Sequence, residues 1–153
     1  MTTLEDILII DIPKIVDNKG RGKLSVIEKN VIPFDIKRVY YLYDVPSDAY
    51  RGGHAHKKLL QFMIPLSGSF DIHLDDGINK KKLMLNKPDK GLLIPNGIWR
   101  EMDNFSSGSV CMVLASENFS EDDYLRDYDA FLKFKSIWSE LNVLHIKSGL
   151  LNT

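Results

Sequence analysis

Apolar and polar residues alternate in short runs up to about residue 116, and turn residues cut the runs every few positions. Residues 7–12 are rich in β-branched side chains and stop at Pro13, which predicts a strand. The Asp17-Asn-Lys-Gly-Arg-Gly22 stretch predicts a turn, followed by a strand over 24–28 and a loop through Pro33. Further strands are predicted over 37–43, through the Arg51-to-His56 run, and over 61–66, 69–74, 80–85, 92–95 and 110–115. Asp75-Asp76-Gly77 reads as a hairpin turn. Closely spaced short strands of this kind indicate an all-β sandwich or barrel. After Ser120 the pattern changes. Ser120 ahead of Glu121-Asp122-Asp123 resembles a helix cap with an acidic first turn. Tyr124, Tyr128, Phe131 and Leu132 keep helical spacing, and a second helical piece is expected around 137–144.

The alternation also sorts side chains by face. His54 and His56 share one face of their strand and Ala55 takes the other. On the preceding strand Arg38, Tyr40 and Leu42 lie together, while Val39, Tyr41 and Tyr43 form the other face, with Tyr41 and Tyr43 expected in the core. Two imidazoles followed by Gln61 and then Gly68 resemble the first motif of the cupin superfamily, in which Gly, His-x-His, Glu and Gly recur at this spacing. Pro95-Asn-Gly97-Ile-Trp-Arg100 resembles the second motif. In metal-binding cupins the Gln61 and Arg100 positions hold Glu and His. An amide oxygen is a poor ligand for borderline metals and a guanidinium is always charged. The expected fold is therefore a cupin-type jelly-roll β-barrel with a short C-terminal helical appendage, and its pocket histidines are free of metal and able to move protons.

Composition narrows the function. At 153 residues the chain suits one domain with a core that needs no disulfide or metal. With 20 Lys+Arg against 21 Asp+Glu, nucleic-acid binding by bulk charge is not expected. The single Cys111 sits in an apolar run, can form no internal disulfide and suits a reducing cytoplasm. No apolar run approaches the roughly 18–20 residues that span a bilayer, and the start of the chain lacks the pattern of a signal peptide. His73 and His145 lie outside the motifs, and Lys80-Lys-Lys82 reads as a solvated hairpin face. Trp99 either packs under the barrel or borders a ligand.

Four runs carry a narrower resemblance: Arg38-Val-Tyr-Tyr-Leu-Tyr-Asp-Val-Pro, Arg51-Gly-Gly-His-Ala-His-Lys, Ile94-Pro-Asn-Gly-Ile-Trp-Arg and Tyr124-Leu-Arg-Asp-Tyr-Asp-Ala-Phe. Together they resemble the dTDP-sugar 3,4-ketoisomerases, over about residues 5–134. The expected organisation is a catalytic domain over 1–134 and a tail, 135–153, without an assigned role. The resemblance implies isomerisation of dTDP-4-keto-6-deoxyglucose to the 3-keto sugar without a cofactor, ahead of an aminotransferase that makes a 3-amino sugar. It also implies a homodimer that exchanges N-terminal strands, with residues 7–12 in that part. His54 is expected as the base at carbon, His56 as its partner in proton shuttling and Tyr40 as a relay. Arg51, Arg100 and, more weakly, Lys57 are candidates for the diphosphate. Gln61, Arg38 and Arg21 are expected around the sugar, with the 19–22 turn shaping the wall that sets configuration at C4. Two other classes fit a His-lined pocket of this kind: a 3,5-epimerase acting on the same sugar nucleotide, which is also a metal-free cupin, and a sugar-nucleotide-binding module without turnover. A metal-dependent cupin isomerase or dioxygenase is a further alternative.

Overall fold

The computed structural model describes residues 1–149, with side chains described through Leu144. Two antiparallel five-stranded sheets face each other, as a jelly roll requires. One contains, in order, β1 (Leu8–Asp11), β9 (Lys90–Ile94), β6 (Gln61–Ser67), β11 (Val110–Ala115) and β4 (Arg38–Leu42). The other contains β12 (Tyr124–Leu125), β5 (Arg51–His56), β10 (Trp99–Asp103), β7 (Phe70–Asp75) and β8 (Lys80–Leu85). Strands β2 (Lys14–Val16) and β3 (Lys23–Ser25) form a separate hairpin, and all six of its strand residues are exposed. The predicted jelly-roll barrel is therefore present, and it is closed at one side by a helix, α1 (Tyr128–Gly149).

Apolar residues are layered on both sides of the sheets. Met63, Phe70, Ile72, Leu74, Leu92, Ile94, Met102 and Val113 form the core between them. A second cluster packs the loop around Ile32 and Phe34 against Phe62, Ile64 and Leu114. A third sets α1 on the far face of the other sheet, where Phe131 meets Ala55, Trp99 and Leu125. These outer layers explain why β6 and β7 are buried on both faces and carry near-continuous apolar runs.

Several elements differ from the sequence expectation. The strand β10 follows directly from the Pro95–Gly97 turn and was not predicted, because its charged residues mask the alternation. Ser120 caps no helix: it makes no side-chain cap bond, and Glu121–Asp123 is a single 3-10 turn. Tyr124 and Leu125 then pair with β5, and the helix begins only at Tyr128. The expected second helical piece is part of this same continuous helix. Tyr41 and Tyr43 are not in the core; they are 60% and 62% exposed, because Arg38, Tyr40 and Leu42 take the inner face of β4. Among the described residues no helix is long and apolar enough to cross a membrane.

A boundary at 134/135 falls inside α1, and Lys135 belongs to the folded body. Its side chain is buried, and its Nζ donates to the carbonyls of Thr2 at 2.6 Å and Gly97 at 2.9 Å. Burial holds its amine below the usual lysine range, and the charges of Asp76 and Asp6 oppose that shift. Lys135→Met should destabilise the protein by about 1–3 kcal/mol, since it strands two carbonyls in a dry site. Chemical denaturation would measure this, with the exposed Lys133→Met as a control expected to change little.

Candidate active site

The alternation along β5 turns His54 and His56 toward the space between the sheets and Ala55 toward α1. Strand pairing then sets their neighbours. Arg100 on β10 lies opposite His54, and Tyr124 on β12 lies opposite His56. The register shifts between Arg100 and Met102, so that Arg51 faces Met102 at the strand end. Tyr40 comes in from the opposite sheet through its pairing with Val113. Together Arg38, Tyr40, Arg51, His54, Arg100, Tyr124 and Arg126 line a cavity of about 230 Å³, with Leu42, Gly52 and Met102.

Inside it, Arg100 is only 3% exposed and donates from Nη2 to the Tyr40 hydroxyl at 3.0 Å. Tyr40 donates in turn to Gln61 Oε1 at 3.3 Å. Gly52 makes room for this arginine. It adopts φ +87°, and a Cβ there would stand 2.8 Å from Arg100 Nη1. Arg100 Nε and Nη1, Arg38 Nε and His54 Nε2 are buried and find no hydrogen-bond partner among the described residues. Such a cluster of buried polar atoms without protein partners suits a polar ligand.

The histidines are packed edge to face, with ring centres 4.9 Å apart at 88°. The Tyr124 ring lies 5.0 Å from His54 and 4.4 Å from His56, and the Arg126 guanidinium covers Tyr124 at 4.1 Å. His56 Nδ1 is 3.1 Å from Asp123 Oδ2. That carboxylate also accepts from the backbone N–H of Lys58 at 2.7 Å and of Leu59 at 3.3 Å. Burial, with Arg100 and His56 adding to it, pushes His54 down to about 2. Burial and Arg100 push His56 down to about 4, against the pull of Asp123. Both imidazoles are therefore neutral at neutral pH. Burial raises the Tyr40 phenol and lifts the Cys111 thiol to about 12, so neither ionises there.

The structure thus brings together His54, His56, Tyr40, Arg38, Arg51, Arg100 and Gln61. It does not bring Lys57 or Arg21 to them. Lys57 Nζ is spent on the Asp122 carbonyl at 2.8 Å. Arg21 pairs with Asp17 at 2.7 Å on the β2–β3 hairpin and lines a separate surface groove with Ile15 and Leu24. Sequence reasoning missed Tyr124 and Arg126 as cavity residues and Asp123 as the partner of His56, because it placed them on a helix. Trp99 packs under the barrel, with its ring on Tyr128 and Phe131 and its Nε1–H donated to Glu101 at 2.7 Å. His73 pairs with Asp103 at the surface, and the His145 side chain lies outside the described residues.

Two neutral imidazoles beside a fixed guanidinium suit proton transfer at a carbon next to a carbonyl, with a cation ready for the oxygen that gains charge. The same guanidinium repels a divalent ion, so the donor set does not fit one. Fold and site together define a cupin equipped for acid–base chemistry on an anionic, carbonyl-bearing ligand. More narrowly, the chain belongs to the family described as FdtA: WxcM-like, C-terminal, which it matches over residues 5–136. It is 47% identical over 127 residues to the TDP-4-oxo-6-deoxy-alpha-D-glucose-3,4-oxoisomerase of Aneurinibacillus thermoaerophilus, covering 82% of this chain and 90% of that protein. Its fold is similar to the crystal structure of a 3,4-ketoisomerase from Helicobacter canadensis, with TM-score 0.82 and 47% identity over 86% of this chain and 98% of that one. It is equally similar, at TM-score 0.82 and 43% identity over 87% and 96% of the two chains, to a His-to-Asn variant of the Thermoanaerobacterium thermosaccharolyticum 3,4-ketoisomerase in complex with TDP-4-keto-6-deoxyglucose. A 3,5-epimerase from Bacillus anthracis shares the fold alone, at 16% identity.

Both imidazoles regain their protons on unfolding near pH 6.5, whereas in the folded protein they do so only near 2 and 4. The unfolded chain therefore binds more protons in between, and these histidines' contribution to stability is lost as pH falls from about 6.5 toward 4 for His56 and toward 2 for His54. Denaturation at stepped pH should show this decline. His54→Asn should flatten it by about one proton, up to about 1.4 kcal/mol per pH unit.

Proposed function

We propose that this chain converts dTDP-4-keto-6-deoxyglucose to its 3-keto isomer, and that His54, His56 and Tyr40 carry the chemistry. The observation that supports it most is the buried, unpartnered His54 Nε2 beside the unpartnered Arg100 N–H groups in one cavity. The 47% identity to a named 3,4-oxoisomerase gives that cavity its substrate class.

The C4 carbonyl acidifies the C3–H. His54 takes that proton, the C–H electrons form the C3=C4 bond, and O4 is protonated to give an enediol. The O3–H proton then leaves, C3 becomes the carbonyl, and a proton is delivered to C4. The C3 and O3 hydrogens are thus replaced by hydrogens on C4 and O4. No electrons leave the sugar, so no oxidant, reductant or cofactor is needed. His56 takes and returns the proton passed from His54, and the Tyr40 hydroxyl, held between Arg100 and Gln61, serves the sugar oxygens. The substrate's diphosphate also eases an apparent weakness of His54 as a base. Burial is the main cause of that weakness and Arg100 the second, and the substrate's negative charge offsets the second.

Depth assigns the arginines. Arg100 is buried with the histidines and meets the sugar, with Arg38 and Gln61 beside it. Arg51 is exposed at the cavity and takes the diphosphate, for which a guanidinium fork is suited. A nucleotide-linked substrate implies work in the cytoplasm, upstream of transfer of an amino group to the new ketone.

We further propose that the protein is a homodimer exchanging N-terminal segments; residues 7–12, expected in that part, pair as β1 with β9 of their own chain, so the exchange falls to the β2–β3 hairpin. The detached hairpin exposes Ile15, Val16 and Leu24, and the free edge strand β4 exposes Val39, Tyr41 and Tyr43. Each surface offers the other a β-pairing partner, in a second copy, that would cover its apolar side chains.

Incubation with dTDP-4-keto-6-deoxyglucose in heavy water should give a 3-keto sugar nucleotide carrying deuterium at C4, read by proton NMR. His54→Asn should lower kcat by ~10²–10⁴-fold. Deuterium at C3 and C5 with the ketone still at C4 would instead assign a 3,5-epimerase, and binding without turnover would assign a sensing module. Light scattering should give the mass of two chains, and Tyr41→Arg should shift it to one. A wild-type protein that stays a single chain at crystallisation concentrations would end the dimer proposal.

A further inference from the structure

The turn that precedes β12 holds a carboxylate at the back of the histidine pair. Asp123 stands 3.1 Å from His56 Nδ1, while two backbone N–H groups, of Lys58 and Leu59, hold its oxygens in place. Its side chain is 12% exposed and that of His56 3%. The Lys57 N–H bonds the Asp123 carbonyl at 2.9 Å, so the turn is tied to the end of the His-x-His strand through backbone as well as side chain. On the other side, the Gly97 N–H donates to the His56 carbonyl at 2.8 Å. This residue is fixed from every direction.

We propose that Asp123 is a positioning residue of the reaction: it holds the proton of neutral His56 on Nδ1, leaving Nε2 as the acceptor, and stabilises the imidazolium that forms when the substrate's proton reaches the pair. The inference deepens the isomerase reading and rests on it. A carboxylate accepts but cannot donate, so an imidazole nitrogen facing it must carry the hydrogen. The second nitrogen then has a lone pair, which a proton relay needs. His54 Nε2 has no hydrogen-bond partner among the described residues. Every permanent charge facing the two rings from the neighbouring strands is positive: Arg100 from β10, Arg38 from β4 and, over Tyr124, Arg126. Among the described residues, Asp123 is thus the anion placed to make a second cation tolerable there. The asymmetry gives direction. A proton taken at carbon by His54 reaches His56 by way of the sugar's oxygens, since the ring centres lie 4.9 Å apart and His54 Nε2 makes no hydrogen bond to the other ring. It is held there against Asp123 and returned when C4 is protonated.

Asp123→Asn tests this, because the amide keeps an oxygen for the Lys58 N–H but presents an NH2 to His56 and reverses its tautomer, at the loss of the longer bond from the Leu59 N–H. In 15N NMR of the resting protein at neutral pH, wild-type His56 should show a protonated Nδ1 and an unprotonated Nε2. The Asn variant should show the reverse. Its kcat for dTDP-4-keto-6-deoxyglucose should fall by ~10²–10⁴-fold with KM changed by less than about threefold. Asp123→Glu, which restores a carboxylate, should keep the wild-type tautomer and exceed the Asn variant in kcat. A wild-type His56 with bare Nδ1 would overturn the proposal, and so would an Asn variant whose kcat stays within about threefold of wild type. If Asn at this position prevents folding, the wild-type spectrum and the Glu variant decide the matter. Failure of the wild-type enzyme to turn over the sugar nucleotide would sink the isomerase reading. The spectrum would still report on the His56–Asp123 pair.

Discussion

A guanidinium buried in an apolar barrel is the constraint from which the site follows. Arg100 has almost no contact with water, and its described hydrogen bond inside the protein goes to a neutral phenol. Burying a charge in this way costs several kcal/mol unless the charge is compensated. In the proposed function the compensation comes from the substrate. The arrangement around it is consistent with that: Gly52 gives up a side chain so that the guanidinium fits, and Tyr40, held in turn by Gln61, accepts one of its N–H groups. The two imidazoles beside it are held neutral. A pocket with stranded cationic N–H groups and neutral bases has a strong preference for an anionic substrate whose carbonyl gains charge during the reaction.

The scaffold earns its rigidity from covering both faces of each sheet. β5 is packed on its outer side by α1 through Ala55 and Phe131, so the strand bearing the histidines cannot flex away from the cavity. The opposite sheet, which supplies Tyr40 and Gln61, is backed by the Ile32 and Phe34 loop. Residues far apart in the chain therefore meet at fixed distances. Tyr40, Gln61, Arg100 and Asp123 come from four separate segments and are joined in two short hydrogen-bonded chains.

Much of this was legible in the residue pattern. The His-x-His pair, Gln61 and Arg100 could be placed on inward faces because side chains alternate along a strand whatever its neighbours are. Strands set off by flanking turn residues, such as β8 and β11, were bounded correctly. What failed did so for identifiable reasons. Ser120 and three acids imitate a helix cap, but one of those carboxylates is committed to His56 and two backbone amides, which holds the segment in a turn. Tyr41 and Tyr43 looked like core residues because aromatics usually are. Which face of β4 turns inward is decided by the barrel's closure, and alternation alone does not give it. Arg21 has the right chemistry for a sugar pocket, yet its hairpin stands apart from its own chain's cavity. No sequence spacing could report that separation.

The clasp made by Lys135 has a topological corollary. Because its amine touches the Thr2 carbonyl, the first and last residues of the barrel body lie side by side. A chain cut after this point on the helix and joined to its own start by a brief linker would need little rearrangement, and new termini could be opened at an exposed loop such as the β8–β9 connection. The order in which the strands are written along the polypeptide is thus separable from the barrel that they build.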